Sequence, residues 1–314
     1  MSKYYYVKVT VAIVTYKRAW ALPYSLGSIA NQTRKPDEVV IVLKPSGDGS
    51  KDVIKKFTSA LPIRLILQGR GNFTDALQIA IDNADGDLVL FIDDDAVAEE
   101  KWIEKYITLF ENLPNAGAID GNVYKGYIDN GSVVKTAEPF YDEVLTRRVF
   151  YREPLPEFVG YIGWIAKSGF MGMVNPPYDG VFKYALLSGV NMAFRRDAVV
   201  SCPIADLFRK SRKGVWNEKI LAYCAKRRGY DIYGARGTNA PTVWHLVHNQ
   251  SLTRDKGFWH EFWLHYDRVA NYWRLKKLGA NVSFVSYIAA CFASLRVKPL
   301  PRLLATIYAW SIRI

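Results

Sequence analysis

Three consecutive carboxylates, Asp93, Asp94 and Asp95, come directly after the apolar run LVLFI at 88–92. Such a run reads as a buried strand. Like charges packed at its end repel one another and are costly without a cation. Alternate side chains of an extended chain face the same way, so Asp93 and Asp95 are expected to converge while Asp94 points elsewhere. Oxygen ligands of this kind suit Mg²⁺ or Mn²⁺, which would in turn hold a diphosphate. The bland reading is a solvated acidic turn capping a following helix, and the triplet alone leaves both open.

The elements that must position this block alternate in type. Val7 to Thr15 and Glu38 to Leu43 are β-branched runs that predict strands, as do Ile63 to Leu67 and Leu88 to Ile92. Between them, Ala19 to Asn31, Asp52 to Ser59 and Thr74 to Ala84 have helical spacing of apolar residues. Strands alternating with helices imply an α/β fold whose mainly parallel sheet is covered on both faces. Ligands of such sheets gather outside the carboxyl ends of the strands, which is where the triplet lies. The stretch from Gly117 to Pro177 is rich in Gly, Pro and aromatics and predicts strands and loops over the site. A further element spans Ala185 to Arg195, and helices are expected at Trp216 to Arg228 and Phe258 to Lys277.

The chain of 314 residues is half hydrophobic and carries a net charge of +12, the balance of a folded globular protein with ample core. Residues 201–314 hold 19 Lys and Arg against 6 Asp and Glu, while the first 200 hold 23 against 24. The whole excess therefore lies in the C-terminal third and points to an acidic partner there. In the same third, residues 278–295 and 303–312 contain no charged residue but are flanked by Arg296, Lys298, Arg302 and Arg313. Too short or too polar to span a bilayer, these segments suit helices lying in a membrane interface; a buried helical hairpin is the rival reading. Cys202, Cys224 and Cys291 are odd in number and lack CxxC spacing, which predicts neither a disulfide framework nor a zinc site and points to a reducing cytosol. Met1 to Val11 is too polar for a signal peptide.

Four stretches in order resemble the large family-2 group of inverting glycosyltransferases with the GT-A fold: VAIVTYKR, ALQIAIDNADGDLVLFIDDD, LLSGVNMAFRRDAV and NEKILAYCAKRRGYDIYGARGTNAPTVWH. The resemblance implies a GT-A, Rossmann-like domain over residues 1–250; it leaves 251–314 as a separate basic, aromatic helical region, for which charge and the apolar runs offer membrane association or a buried hairpin. It implies that Asp93 and Asp95 contact a metal or the ribose-diphosphate, with His245 a third metal ligand. Thr15, Tyr16, Arg18 and Asp94 would line the nucleotide-sugar, and Asp75 would face it from the preceding helix. Glu218 falls at the catalytic base, in an Asn217-Glu218 pair where the family has Glu-Asp. Gly189, Trp164, Trp216 and Asn217 would border the sugar and acceptor. The family's second strand usually ends Asp-Asp-Gly-Ser; here a similar DGSKD appears only at Asp48 to Asp52, making Asp48 the candidate base contact.

These roles agree with the chemistry of a single displacement, in which a base takes the proton of an acceptor hydroxyl as it attacks the anomeric carbon. A metal would neutralise the departing nucleoside diphosphate. The expected partners are a nucleotide-diphosphate sugar, a glycan or lipid-linked acceptor and an anionic membrane surface, with no nucleic acid, at the cytoplasmic face of a membrane. Two rivals are a nucleotidyltransferase, which would need a Gly-rich phosphate loop absent from VAIVTYKRAWALP, and a basic nucleic-acid-binding protein. The latter explains the basic tail and ignores the acidic triplet.

Overall fold

A computed structural model of the chain describes residues 6–140, 149–175, 177, 179–248 and 257–312. Its centre is an eight-stranded mixed sheet. The first four strands are β1 (Val9–Thr15), β2 (Glu38–Leu43), β3 (Ile63–Leu67) and β4 (Leu88–Ile92), and all three of their pairings are parallel. Three further strands come next in chain order: β5 (Ala96–Ala98), β6 (Ala116–Asp120) and β7 (Asn122–Asp129). After them lie β8 (Ser132–Pro139), β9 (Gly163–Ile165), β10 (Met171–Met173) and β11 (Gly180–Lys183). The last are β12 (Asn191–Arg195), β13 (Asp231–Arg236) and β14 (Thr242–Leu246). The large sheet runs β11-β13-β6-β12-β4-β1-β2-β3, while β5-β14-β7-β8 form a second sheet and β9-β10 a ribbon. Insertion of β12 antiparallel between β4 and β6 makes the sheet mixed.

The helices are α1 (Leu22–Ala30), α2 (Ser50–Lys56), α3 (Phe73–Asn83), α4 (Trp102–Asn112), α5 (Arg196–Val199) and α6 (Ile204–Leu207), then α7 (Asn217–Arg227), α8 (Phe258–Lys277), α9 (Phe284–Ser294) and α10 (Pro299–Ile312). Central strands read as unbroken apolar runs because both of their faces are covered. In β4, Val89 and Phe91 enter one core and Leu88, Leu90 and Ile92 the other. A third core joins α8, α9 and α10. No helix among the described residues is long and apolar enough to cross a membrane.

Asn191 explains the Gly-x-Asn stretch in physical terms. It is fully buried at the start of β12. Its carbonyl accepts from Trp102 Nε1 and Tyr106 Oη, both at 2.8 Å, and its amide donates to the Asn122 and Pro241 carbonyls, both at 2.9 Å. All four bonds of the amide are made, so this residue clamps α4 and two loops to the sheet.

The C-terminal region is not a loose appendage. Within α8, Arg274 and Asp267 form a fully buried ion pair at 2.7 Å, and Arg274 Nε donates to the Leu207 carbonyl. Asp267 also accepts from Ser211 Oγ at 2.7 Å and the Val215 amide at 3.0 Å. Thus α8 holds the loop leading into α7. The boundary expected at 250/251 lies outside the described residues.

The cysteines correct the sequence reading. Cys202 and Cys224 form a disulfide with their Cα atoms 5.8 Å apart, leaving Cys291 buried and free. Residue parity conceals it because the odd cysteine lies in a separate core, and a reducing compartment is no longer implied. The bridge closes 22 residues and links the end of α5 to α7. A loop of that size corresponds to about 3 kcal/mol in the chain-entropy account. Cys202→Ser is therefore expected to lower thermal stability by about that much, with dithiothreitol reproducing the loss in the wild type but adding nothing to the variant.

Candidate active site

The triplet lies just past β4 at the carboxyl edge of the sheet, beside the end of β1. It is not extended: the Ala96 amide donates to the Asp93 carbonyl at 3.1 Å and closes a turn. Asp93 and Asp95 nevertheless come together, through the turn rather than through strand alternation. The chain leaves this turn as the strand β5, not as a helix, so a helix cap does not account for the carboxylates.

Strand β5 brings the next residue. Its antiparallel pairing with β14 sets His245 opposite Ala96, and the Leu246 amide donates to the Asp95 carbonyl at 2.8 Å. His245 Nε2 consequently meets Asp95 Oδ1 at 2.8 Å and lies 3.9 Å from Asp93 Oδ2. His248 Nε2 reaches the other Asp95 oxygen at 2.8 Å, its ring packed 4.7 Å from that of Trp20. Arg18 Nε lies 3.3 Å from Asp95 and 3.4 Å from Asp94. The resemblance sets Arg18 against the donor; its Nε is instead engaged with the acids.

These contacts divide the three carboxyls. Burial favours protonation of Asp95, but its bonds to His245 and His248 outweigh it and hold the group well below the usual carboxylate range. Burial and the Asp95 charge push Asp93 up to about 6. Burial, again reinforced by Asp95, raises Asp94 strongly. Burial tends to lower His245, yet the hydrogen bond and charge of Asp95 raise it on balance. Asp93 has the most exposed side chain of the three, at 37%, so the cluster opens to solvent there. Asp93, Asp95 and His245 each offer one ligand atom, and these atoms lie within 4.8 Å of one another. Two carboxylate oxygens and an imidazole nitrogen, with one carboxyl raised by its neighbour's charge, form a donor set that fits a divalent cation.

Glu218 stands in the first turn of α7. Its charge is close enough to Asp93 to contribute to the rise of that carboxyl. Lys219 Nζ donates to Glu218 Oε1 at 2.6 Å and also to the Leu187 carbonyl, fixing the carboxylate from one side. The residue before the helix pair, Trp216, is left-handed with φ +70°, an outlier for a bulky side chain. Its half-buried ring packs against Phe170, with the Arg268 guanidinium over one face. Such strain is held by the surrounding contacts and clusters at functional sites.

Other candidate residues are bonded within the chain. The two oxygens of Asp48 accept from Ala19 N, Ser50 Oγ, Ser46 Oγ and Ser50 N at 2.8–3.2 Å. Those four bonds fill the acceptor sites of a carboxylate and, against the desolvation that opposes them, lower its pKa to about 2. Asp48 ties the loop after β2 to the loop after β1. Asp75 closes a capping box, accepting from the Asn72 amide at 2.7 Å while Asn72 caps α3. Trp164 is 2% exposed and donates to the Arg152 carbonyl, so no ring face is left for a sugar. Asn217 is buried and spends its amide on the Gly214 carbonyl at 2.7 Å.

Thr15 is buried at the end of β1, and the adjacent Tyr16 is 47% exposed, its ring approached by Lys17 and Lys44. Around Gly189 the space is open where a side chain would stand. Sequence reasoning gives His248 less support than His245 and misses Lys219 beside Glu218. The repeat His245-Leu-Val-His248 is the available signal for His248. Nothing in an Asn-Glu-Lys string announces Lys219.

The sequence profile described as "Glycosyl transferase family 2" matches residues 10–175. Glycosyltransferase AglE of Haloferax volcanii is 24% identical over 223 residues, 64% of this chain and 70% of that protein. A glucosyl-dolichyl phosphate glucuronosyltransferase of the same organism is 32% identical over 126 residues, covering 39% of this chain and only 40% of the relative. Among solved structures, the mannosyltransferase PcManGT from Pyrobaculum calidifontis, in complex with GDP-Man and Mn²⁺, superposes with a TM-score of 0.53 at 16% identity. That superposition covers 98% of this chain and 75% of the other.

Proposed function

The chain belongs to glycosyl transferase family 2 and is a glycosyltransferase, and we propose that it moves a sugar from a nucleoside-diphosphate donor to an acceptor hydroxyl by a single, inverting displacement. The observation that carries this reading is the convergence of Asp93, Asp95 and His245 with the Glu218 carboxylate acting on the same cluster. One cation-binding group and one base are what a single displacement requires; a second, nucleophilic carboxylate belongs to retaining chemistry. Family membership supports sugar transfer over nucleotidyl transfer.

Asp93, Asp95 and His245 would hold Mn²⁺ or Mg²⁺, which supplies positive charge to the diphosphate when bound. The Mn²⁺ and GDP-Man bound to PcManGT support a metal and a nucleotide-sugar donor here. His248 and Arg18 keep Asp95 ionised and oriented. Thr15 and the exposed Tyr16 ring border the nucleotide, and Gly189 and Trp216 border the sugar and acceptor. Glu218 takes the proton from the acceptor hydroxyl, its carboxylate aimed by Lys219. The relative that acts on glucosyl-dolichyl phosphate supports a lipid-linked acceptor, with a glycan as the other class. The basic C-terminal region favours the cytoplasmic side of a membrane, where anionic lipids give the surface its negative potential.

A calorimetric screen of UDP, GDP and dTDP with Mn²⁺ tests the reading. Binding of at least one, lost on adding EDTA, is expected. Failure of all three would remove the donor site.

A further inference from the structure

Helices α9 and α10 are amphipathic the wrong way round for a protein in water. On α10 the residues turned inward are small or short: Pro301, Ala305, Thr306 and Ala309. The large ones, Leu300, Leu303, Leu304, Ile307 and Trp310, are 38–59% exposed. Their spacing of three and four residues places them along one face. Helix α9 buries Tyr287 beside the small Ser286, Ala290 and Cys291, and likewise leaves Phe284, Val285 and Phe292 54–73% exposed.

The two helices form a hairpin. Arg302 Nη1 donates to the Ser294 carbonyl at 2.8 Å near the turn, and Trp310 Nε1 to Tyr287 Oη at 2.9 Å near the open end. Both lean on α8: the Tyr287 ring stacks on that of Tyr272 at 4.2 Å, and Tyr308 meets Phe262 and Tyr266. Their exposed faces therefore look away from the body of the protein. A continuous apolar surface of this kind marks an interaction site.

Charge identifies what covers it. From residue 268 to the end the chain has eight Lys and Arg and no Asp or Glu. Arg296 and Lys298 lie exposed in the turn between the helices. Two copies meeting face to face would bring like charges together, whereas an anionic lipid surface complements both the cations and the apolar side chains. At 11 and 14 residues the helices span roughly 17 and 21 Å, short of the roughly 30 Å hydrocarbon core. They lie on a bilayer rather than cross it.

We propose that the outward face of the α9–α10 hairpin is a docking surface that seats the protein on anionic lipid, with Leu303, Leu304, Ile307 and Phe292 entering the interface and Arg296 meeting headgroups, while Lys298 is paired with Glu261 at 3.3 Å. The inference builds on the peripheral membrane placement above and does not depend on the transfer chemistry.

Co-sedimentation of the full chain with phosphatidylcholine vesicles containing about 30 mol % phosphatidylglycerol tests it. Binding is expected to be at least about tenfold tighter than to pure phosphatidylcholine, and to fall at least about tenfold in the Leu303→Glu/Ile307→Glu variant. Both positions are exposed, so an unchanged circular dichroism spectrum keeps that comparison valid; Arg296→Glu should weaken binding separately. Equal binding to neutral vesicles, or full binding by the double variant, would overturn the proposal. So would a wild-type dimer in sedimentation equilibrium that the double variant abolishes. Mn²⁺-dependent nucleotide binding, measured on the same samples, reports on the transfer site alone and should be untouched by these substitutions.

Discussion

Glu218→Gln should lower the transfer rate by roughly 10²–10⁴-fold, the usual contribution of a positioned general base, while leaving donor affinity unchanged. Glutamine is nearly isosteric and still accepts the Lys219 hydrogen bond, now 2.6 Å long, so α7 keeps its first turn. What it loses is the ability to take a proton. Donor affinity should hold because the cation-binding group is a separate set of side chains, Asp93, Asp95 and His245. The rival explanation is that Glu218 merely favours the helix dipole, a contribution of about 0.3–1 kcal/mol. In that case the variant would melt slightly earlier and transfer sugar at the wild-type rate. Single-turnover kinetics with saturating donor separate the two outcomes, since a base acts on the chemical step and a helix-end charge does not. Retained chemistry at full rate would remove Glu218 from the mechanism.

The sheet is legible in the sequence where burial is two-sided. The strands expected at 38–43 and 88–92 have their observed limits, because a strand covered on both faces has no polar alternation to blur its ends; the edge strand at 63–67 is matched as well, although it is only partly buried. The triplet's place at a strand end is legible for the same reason. Partnership set by sheet register is not. His245 meets Asp95 across 150 residues because β14 pairs with β5, and no local pattern encodes that pairing. Only a resemblance to other chains suggests the histidine.

The internal partners of the other candidate residues are hidden from sequence for a different reason. Asp48, Asp75, Trp164 and Asn217 are of types that bind ligands, but each also satisfies backbone groups, and local sequence cannot say which use prevails. In Asp48 four hydrogen bonds decide it; in Trp164 complete burial does. The C-terminal helices read from sequence as either interfacial or a buried hairpin, and the structure packs them as a hairpin whose outer face stays apolar and exposed. Tyr287, Tyr308 and the small residues of both helices pack on α8, while Phe284, Val285, Phe292 and the leucines of α10 face outward. An apolar segment gives its periodicity from sequence, but which face is buried depends on the partner.

Asp95→Asn should weaken Mn²⁺ binding by about 100-fold or more, beyond the usual cost of disturbing a ligand's supporting partners. Asp95 is the residue on which the cluster converges: His245 and His248 take one oxygen each, and Arg18 lies 3.3 Å away. Asparagine keeps the shape and removes the charge, leaving Arg18 with Asp94 alone among its carboxylate partners. A stability loss of about 1–3 kcal/mol is expected from disrupting buried polar partners, and it would arise equally if Asp95 were only a structural hub. Mn²⁺ linkage distinguishes the two. A ligand at about 100 times its Kd adds about 2.7 kcal/mol to the folded state, a rise of roughly 4 °C in Tm for a chain of this size. The wild type should show that rise with Mn²⁺ and the variant should not, whatever its starting Tm. If Asp95→Asn were stabilised by Mn²⁺ as much as the wild type, the cation would bind elsewhere. The acidic turn would then be a structural clasp between β4 and β14.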